Sequence, residues 1–202
     1  MAEGQKVVYY LTADSLAAAR SSPHLEALRA RNVEVLLLTD PVDEWVVMQL
    51  TDFDGRPLQS VAKGDLEPEA GKKDEESPSA TQAALIQRLR DALGDQIKEV
   101  RGSHRLTTSA SCLVAEEQGM SRHLQRILAS SGQKLPEQKP VLEVNLFHPL
   151  VNRIGQVADT VQFREWAQLL LDQAIINDGG QLPDPAGFVQ RLNMLLLASA
   201  PV

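Results

Sequence analysis

Among 202 residues there is a single cysteine, Cys112. An intrachain disulfide is therefore impossible, and the chain fits a reducing compartment such as the cytoplasm. Aromatic residues make up only 4% of the sequence, and no basic stripe runs between them. With a formal net charge of -7, this argues against a nucleic-acid or anionic-membrane binder. No apolar run approaches the roughly 20 residues that a membrane-spanning helix needs. The first six residues are short and polar, unlike a signal peptide. There is no phosphate-binding glycine loop, no G-x-G-x-x-G and no G-x-S-x-G elbow. His24, His104, His123 and His148 each lack a second ligand at metal spacing. Ser103 and His104 are adjacent, but no carboxylate is placed to orient the imidazole. Each histidine reads as a surface or hydrogen-bonded group.

What is present is an ordinary globular composition, 43% hydrophobic and 23% charged, enough for one large or two small domains. Residues 7–11 are β-branched and aromatic and predict a buried strand. Asp14 is a candidate helix cap, and Ser22-Pro23 restarts a second helix through position 31. Residues 33–38 are apolar but for Glu34, and read as a parallel strand covered on both faces. Thr39-Asp40-Pro41 opens a helix carrying Val42, Trp45, Val46, Met48 and Leu50. Residues 57–61 predict a last short strand. The order strand, helices, strand, helix, strand gives a small α/β/α layer with parallel pairing over positions 1–62.

Composition changes at Lys63. Positions 63–78 hold six acidic residues, three lysines, two glycines and two prolines, and read as a solvated linker. Positions 79–202 then read as α+β: a helix over 81–93, strand candidates at 97–101, 111–115 and 141–146, and helices between and after them. The helix over 120–131 is amphipathic. Met120, Leu124, Ile127 and Leu128 form one stripe, with Arg122, His123, Gln125 and Arg126 off it. That stripe either faces the core or stays open to bind apolar segments of other proteins. Methionine suits the second role because it adapts its shape cheaply.

The last quarter reads as a helical hairpin. Asp159 or Thr160 starts its first helix, Gly179-Gly180 ends it, and Asp184-Pro185 starts the second. Phe163, Trp166, Leu169 and Leu170 lie on the first helix, and Leu192, Leu195 and Leu196 on the second. Their apolar stripes are wider than one packed face needs. Two readings follow: a hairpin that finishes a monomeric core, or one that meets the same pair from another copy as a four-helix bundle.

Several stretches in order resemble one family. They include Val8-Tyr9-Tyr10-Leu11-Thr12-Ala13-Asp14, Ser21-Ser22-Pro23-His24-Leu25-Glu26, Pro41-Val42-Asp43-Glu44-Trp45 and Phe53-Asp54-Gly55-Arg56-Pro57. Farther on come His104-Arg105-Leu106, Met120-Ser121, Glu143-Val144-Asn145 and Leu170-Leu171-Asp172-Gln173-Ala174. They resemble the end of the middle domain and the C-terminal dimerisation domain of the heat-shock protein 90 chaperones, in their bacterial form. The resemblance implies a homodimer through Phe163, Trp166, Leu169, Leu170, Leu192, Leu195 and Leu196. It implies contact with unfolded or partly folded client proteins through Glu44, Trp45, Met120, Leu124, Ile127 and Leu128. Bacterial cochaperones are further expected partners, and neither nucleic acid nor membrane is. ATP and magnesium would belong to a nucleotide-binding domain that these residues do not represent, so no cofactor and no enzyme activity is expected here. The chain ends Ala198-Ser199-Ala200-Pro201-Val202, without the acidic motif by which eukaryotic relatives dock helical-repeat cochaperones. Two rival readings are a small α/β enzyme with a site at the carboxyl ends of the first two strands, and a pure dimerisation scaffold.

Overall fold

A computed structural model describes residues 5–66, 78–133, 136 and 138–199. Most of the expected linker, positions 67–77, lies outside the described residues. The described residues form a mixed α/β structure with two sheets. The first has order β2-β1-β4-β3, formed by β1 (Val8–Thr12), β2 (Val35–Leu38), β3 (Asp52–Phe53) and β4 (Arg56–Ser60). β1 pairs in parallel with both β2 and β4, as the alternation of strands and helices predicts. β3 and β4 form an antiparallel hairpin that the sequence reading lacked. Asp54 and Gly55 both take positive φ there, the signature of a type I′ turn.

β2 is an edge strand and corrects the expectation of a strand covered on both faces. Leu36 points outward and is 51% exposed. Between these strands lie α1 (Leu16–Ser21), α2 (Glu26–Ala30) and α3 (Asp43–Gln49). Ser15, and not Asp14, caps α1 by accepting from the Ala18 amide. That leaves Asp14 free for a longer-range role. Leu11, Ala19, Leu25, Leu28 and Val61 form the core of this layer, together with Leu66 from inside the expected linker.

The second sheet has order β5-β7-β6, with β5 (Glu99–Gly102), β6 (Ser111–Val114) and β7 (Val141–Val144). β7 is central and buried at every position, so its alternating sequence is not an inside–outside pattern. Glu143 on it is buried because Arg105 and Arg101 neutralise it. Around this sheet lie α4 (Ala80–Leu93), α5 (Arg122–Ser130), α6 (Pro149–Gly155), α7 (Thr160–Asn177) and α8 (Pro185–Ser199). Ser79 and Gln82 form a capping box at the start of α4. The larger core joins Leu85, Leu89, Leu113, Leu142, Phe163 and Leu170, among others. The Ser111 hydroxyl ties α7 to the sheet by donating to the Leu170 carbonyl, 2.9 Å away.

The two layers are joined by backbone as well as side chains. Lys63 bridges to Ala115 beside the end of β6, with Ala115 N–H donating to the Ala62 carbonyl and Gly64 N–H to the Ala115 carbonyl.

Candidate functional site

The seam between the layers carries an unusual density of charge. On α3, where Trp45, Val46 and Met48 are exposed along with Val42 just before it, the inward-facing residue is Glu44, only 2% exposed. Its carboxylate accepts from the Ser121 hydroxyl at 2.7 Å and meets His123 Nδ1 at 3.0 Å. Burial alone would raise the Glu44 pKa, but hydrogen bonds from His123, Ser121 and Thr12 outweigh it and hold the carboxyl low. Ser121 also caps α5, its hydroxyl oxygen accepting from the Leu124 amide. One hydroxyl thus fixes the start of α5 and ties it to α3.

The other side of His123 meets Asp14, with Nε2 3.2 Å from Oδ1. Asp14 Oδ2 accepts from Arg126, 3.1 Å away. Arg126 and Arg122 both donate to Asp178, the residue that closes α7. Burial pushes the Asp178 carboxyl up, and the two arginines offset only part of that. α5 is therefore gripped at its first turn by the β1–α1 loop, by α3 and by the end of α7. Beneath it lies a cavity of about 40 Å³ lined by His24, Ser121, His123, Arg126 and Asp178, among others. His24 is buried with Nδ1 unpaired, and burial, aided by Arg105 and Arg122, lowers its pKa to about 3 despite the opposing Glu143.

A second strut lies beside the first. Arg105 is fully buried, donating to both Glu143 oxygens and to the carbonyls of Val61 and Gly64. Glu26 on α2 accepts from the amides of Thr107, Thr108 and Ser109 and from the Ser109 hydroxyl. These bonds outweigh partial burial and lower its pKa to about 2.

The residues proposed from sequence for partner binding divide accordingly. Trp45 is 45% exposed, and Met120, Ile127 and Leu128 are half-buried. Leu124 is buried and Glu44 faces inward, so neither offers surface in this arrangement. In the hairpin, Phe163 and Leu170 belong to the chain's own core, and Leu169 and Leu195 are buried too. Trp166 and Leu192 are half-buried. Leu196, one of the expected interface residues, faces outward, as do Val161, Ile176, Val189, Met194 and Leu197, the last 78% exposed. Sequence reading missed Asp14 and Asp178 as partners of α5, and His123 as the α5 side chain that meets Asp14 and Glu44. Their signal was weak, since each lies far from the others in sequence. Among the described residues no cluster of His, Cys, Asp or Glu is suited to a metal ion, and no helix is long and apolar enough to cross a membrane.

The arrangement is one of two small α/β layers locked by a polar seam, with a helical hairpin carrying an uncovered apolar face. The family model described as Hsp90 protein matches residues 1–202, and the chain belongs to that family. It is 49% identical to the chaperone protein HtpG of Alkalilimnicola ehrlichii over 99% of this chain and 31% of that protein. Against the chaperone protein HtpG of Nitrosospira multiformis it is 48% identical over 98% of this chain and 32% of the relative. For the same protein of Methylococcus capsulatus the identity is 50%, covering 97% and 32%. The chain spans about a third of the length of the curated relatives it matches.

Proposed function

We propose that this chain is the dimerising, partner-contacting part of a bacterial Hsp90 chaperone. Its work is binding and geometry, with no bond chemistry of its own. The observation that carries the reading is the pair of uncovered apolar faces, at Val189, Met194, Leu196 and Leu197 on α8 and at Val42, Trp45, Val46 and Met48 on α3 and its N-cap. An exposed leucine-sized group offers roughly 1.5–3 kcal/mol when fully buried by a partner. Four on α8 suit a lasting contact with a second copy. Those beside the seam suit brief contacts with non-native protein, and a dimer that presents two such patches gains avidity without one tight site.

Trp45, Met120, Ile127 and Leu128 form the partner face, with Leu124 and Glu44 beneath it. Bacterial cochaperones are further candidate partners. ATP and magnesium, on this reading, act in the part of the whole protein outside the match, and the setting is the cytoplasm. The burial of Leu124 favours a second reading, a dimerisation scaffold whose α5 is inert.

Two measurements test the proposal. Light scattering on a sizing column, from micromolar to nanomolar, should give twice the 22.1 kDa chain mass. A monomer throughout would refute the dimer. Trp45→Ser with Leu128→Ser should weaken suppression of aggregation of an unfolded protein while the dimer persists. Unchanged suppression would leave the scaffold reading standing.

A further inference from the structure

The grip on α5 has a form that allows release. Leu124, the buried apolar residue of α5, belongs to none of the three apolar clusters that make up the described cores. α5 is seated chiefly by polar groups: Glu44 on Ser121 and His123, Asp14 on His123 and Arg126, and Asp178 on Arg122 and Arg126. Polar partners of this kind regain hydration when they part, whereas a displaced core side chain regains nothing. The flanks suit movement as well. Gly119 precedes the helix, and Gly132 follows it with φ +82 and open space around it. Glycine absorbs such backbone rotation at low steric cost. Met120, Ile127 and Leu128 are already partly exposed, so lifting α5 uncovers Leu124 and the covered parts of those three.

We propose that α5 is a latch on the partner face. Seated, it covers Leu124 and engages Glu44 in the seam. Lifted, it presents Met120, Leu124, Ile127 and Leu128 as one stripe and opens Glu44 beside Trp45. An apolar segment of a partner then competes with the seam for the same helix, so occupancy at the partner face and loosening of the seam are one equilibrium. Because the seam joins the first layer to the end of α7, whatever loosens it biases the stripe toward exposure. This rests on the reading of α5 as part of the partner face, and it assigns that face a closed state.

The test uses thiol accessibility. Leu124→Cys places a reporter under the seated helix, and Cys112, also buried, reports global unfolding in the same chain. Peptide mass after reaction with an aromatic disulfide reagent separates the two thiols. Adding Glu44→Gln removes the charge from the seam while keeping its shape. The expected result is labelling at position 124 about 10- to 100-fold faster, as loss of one or two charge-assisted hydrogen bonds gives, with Cys112 unchanged. An unchanged rate at 124, or equal acceleration at both thiols, overturns the latch. Hydrogen exchange covers the case where Leu124→Cys itself disturbs the seat. In the Leu124 chain carrying only Asp178→Asn, the amides of α5 should exchange faster while those of α7 keep their protection, and no change in α5 again overturns it. Aggregation suppression by Glu44→Gln then separates the two ideas. If labelling rises and suppression does not, the lifting of α5 stands and its role at a partner face fails.

Discussion

Glu44 and His123 lie 79 positions apart in sequence and meet at 3.0 Å across the seam between the two layers. Each is buried, and each makes sense only through the other. A carboxylate on the inward side of a short helix would be a costly error without a donor opposite it. Ser121 supplies a second donor, and Asp14 takes up the far nitrogen of His123, so the network is filled. Around it the first layer grips the second by polar contacts rather than by a shared apolar core.

The other strut gives the clearest stability prediction. Glu143→Ala leaves Arg105 buried with its charge uncompensated, which costs about 3–5 kcal/mol for a pair of this kind. Urea unfolding should show that loss as a lower midpoint with an unchanged slope. Replacing both residues, as Arg105→Met with Glu143→Leu, removes the stranded charge but not the whole cost. Arg105 also donates to the Val61 and Gly64 carbonyls, which methionine cannot satisfy. The double variant should therefore recover part of the loss, and full recovery would mean that those carbonyl contacts contribute nothing.

Acid should act on the first layer in two overlapping windows. His24 has its folded pKa lowered from 6.5 to about 3, so its neutral form is favoured in the native state. Its contribution is present above pH 6.5 and falls as pH drops toward 3, because the unfolded chain takes up the proton first. Within that window the stability should fall by about 1.4 kcal/mol per pH unit for one such group. Glu26 is shifted from 4.5 to about 2, so its contribution is lost only below pH 4.5. Unfolding curves at several pH values for His24→Leu should flatten between pH 6.5 and 4.5. Those for Glu26→Gln should follow the parent there and diverge only below it.

The elements were legible where a local pattern sufficed. β1 follows from a β-branched and aromatic run, β2 from an apolar one, and α4 from the helical spacing of Leu85, Ile86, Leu89 and Leu93. α5 follows from its amphipathic stripe and Gly132, and α7 from its cap and Gly179-Gly180. The hairpin of β3 and β4 was missed although Asp54-Gly55 is a strong turn signal, because β3 is only two residues long. What no local pattern carries is the seam. Asp14 reads as a cap until Ser15 is seen to do that work, and Glu44 reads as a charge at a helix start until it is seen to point inward. The apolar stripe of the hairpin was legible as a stripe, but not how it divides. Phe163 and Leu170 are spent on the chain's own core, and the surplus lies on the far side of α8.

Cys112 should behave as a core residue and not as a reactive thiol. It is 2% exposed, and burial raises its pKa well above the usual thiol value. The thiolate is the reacting form, so both access and ionisation are suppressed. Reaction with a thiol reagent at neutral pH should be slow and should track global unfolding as urea is added. Rapid stoichiometric labelling in water would mean that β6 opens far more readily than its place in the sheet implies.

The division of the hairpin changes which substitutions separate dimerisation from folding. Trp166→Asp with Leu170→Asp is a poor choice, since Leu170 is 1% exposed in the central cluster and an aspartate there would unfold the layer. Val189→Asp with Leu196→Asp is the sharper pair, because both side chains are more than half exposed in the single chain. In a monomer these changes should leave the unfolding midpoint nearly unmoved, as surface substitutions usually cost within about 0.5 kcal/mol. In a two-copy bundle each would bury a charge without a partner, so the dissociation constant should rise by orders of magnitude. Light scattering at micromolar concentration should then give 22.1 kDa for the variant and twice that for the parent. A variant that keeps the doubled mass would place the contact between copies elsewhere than on this face of α8.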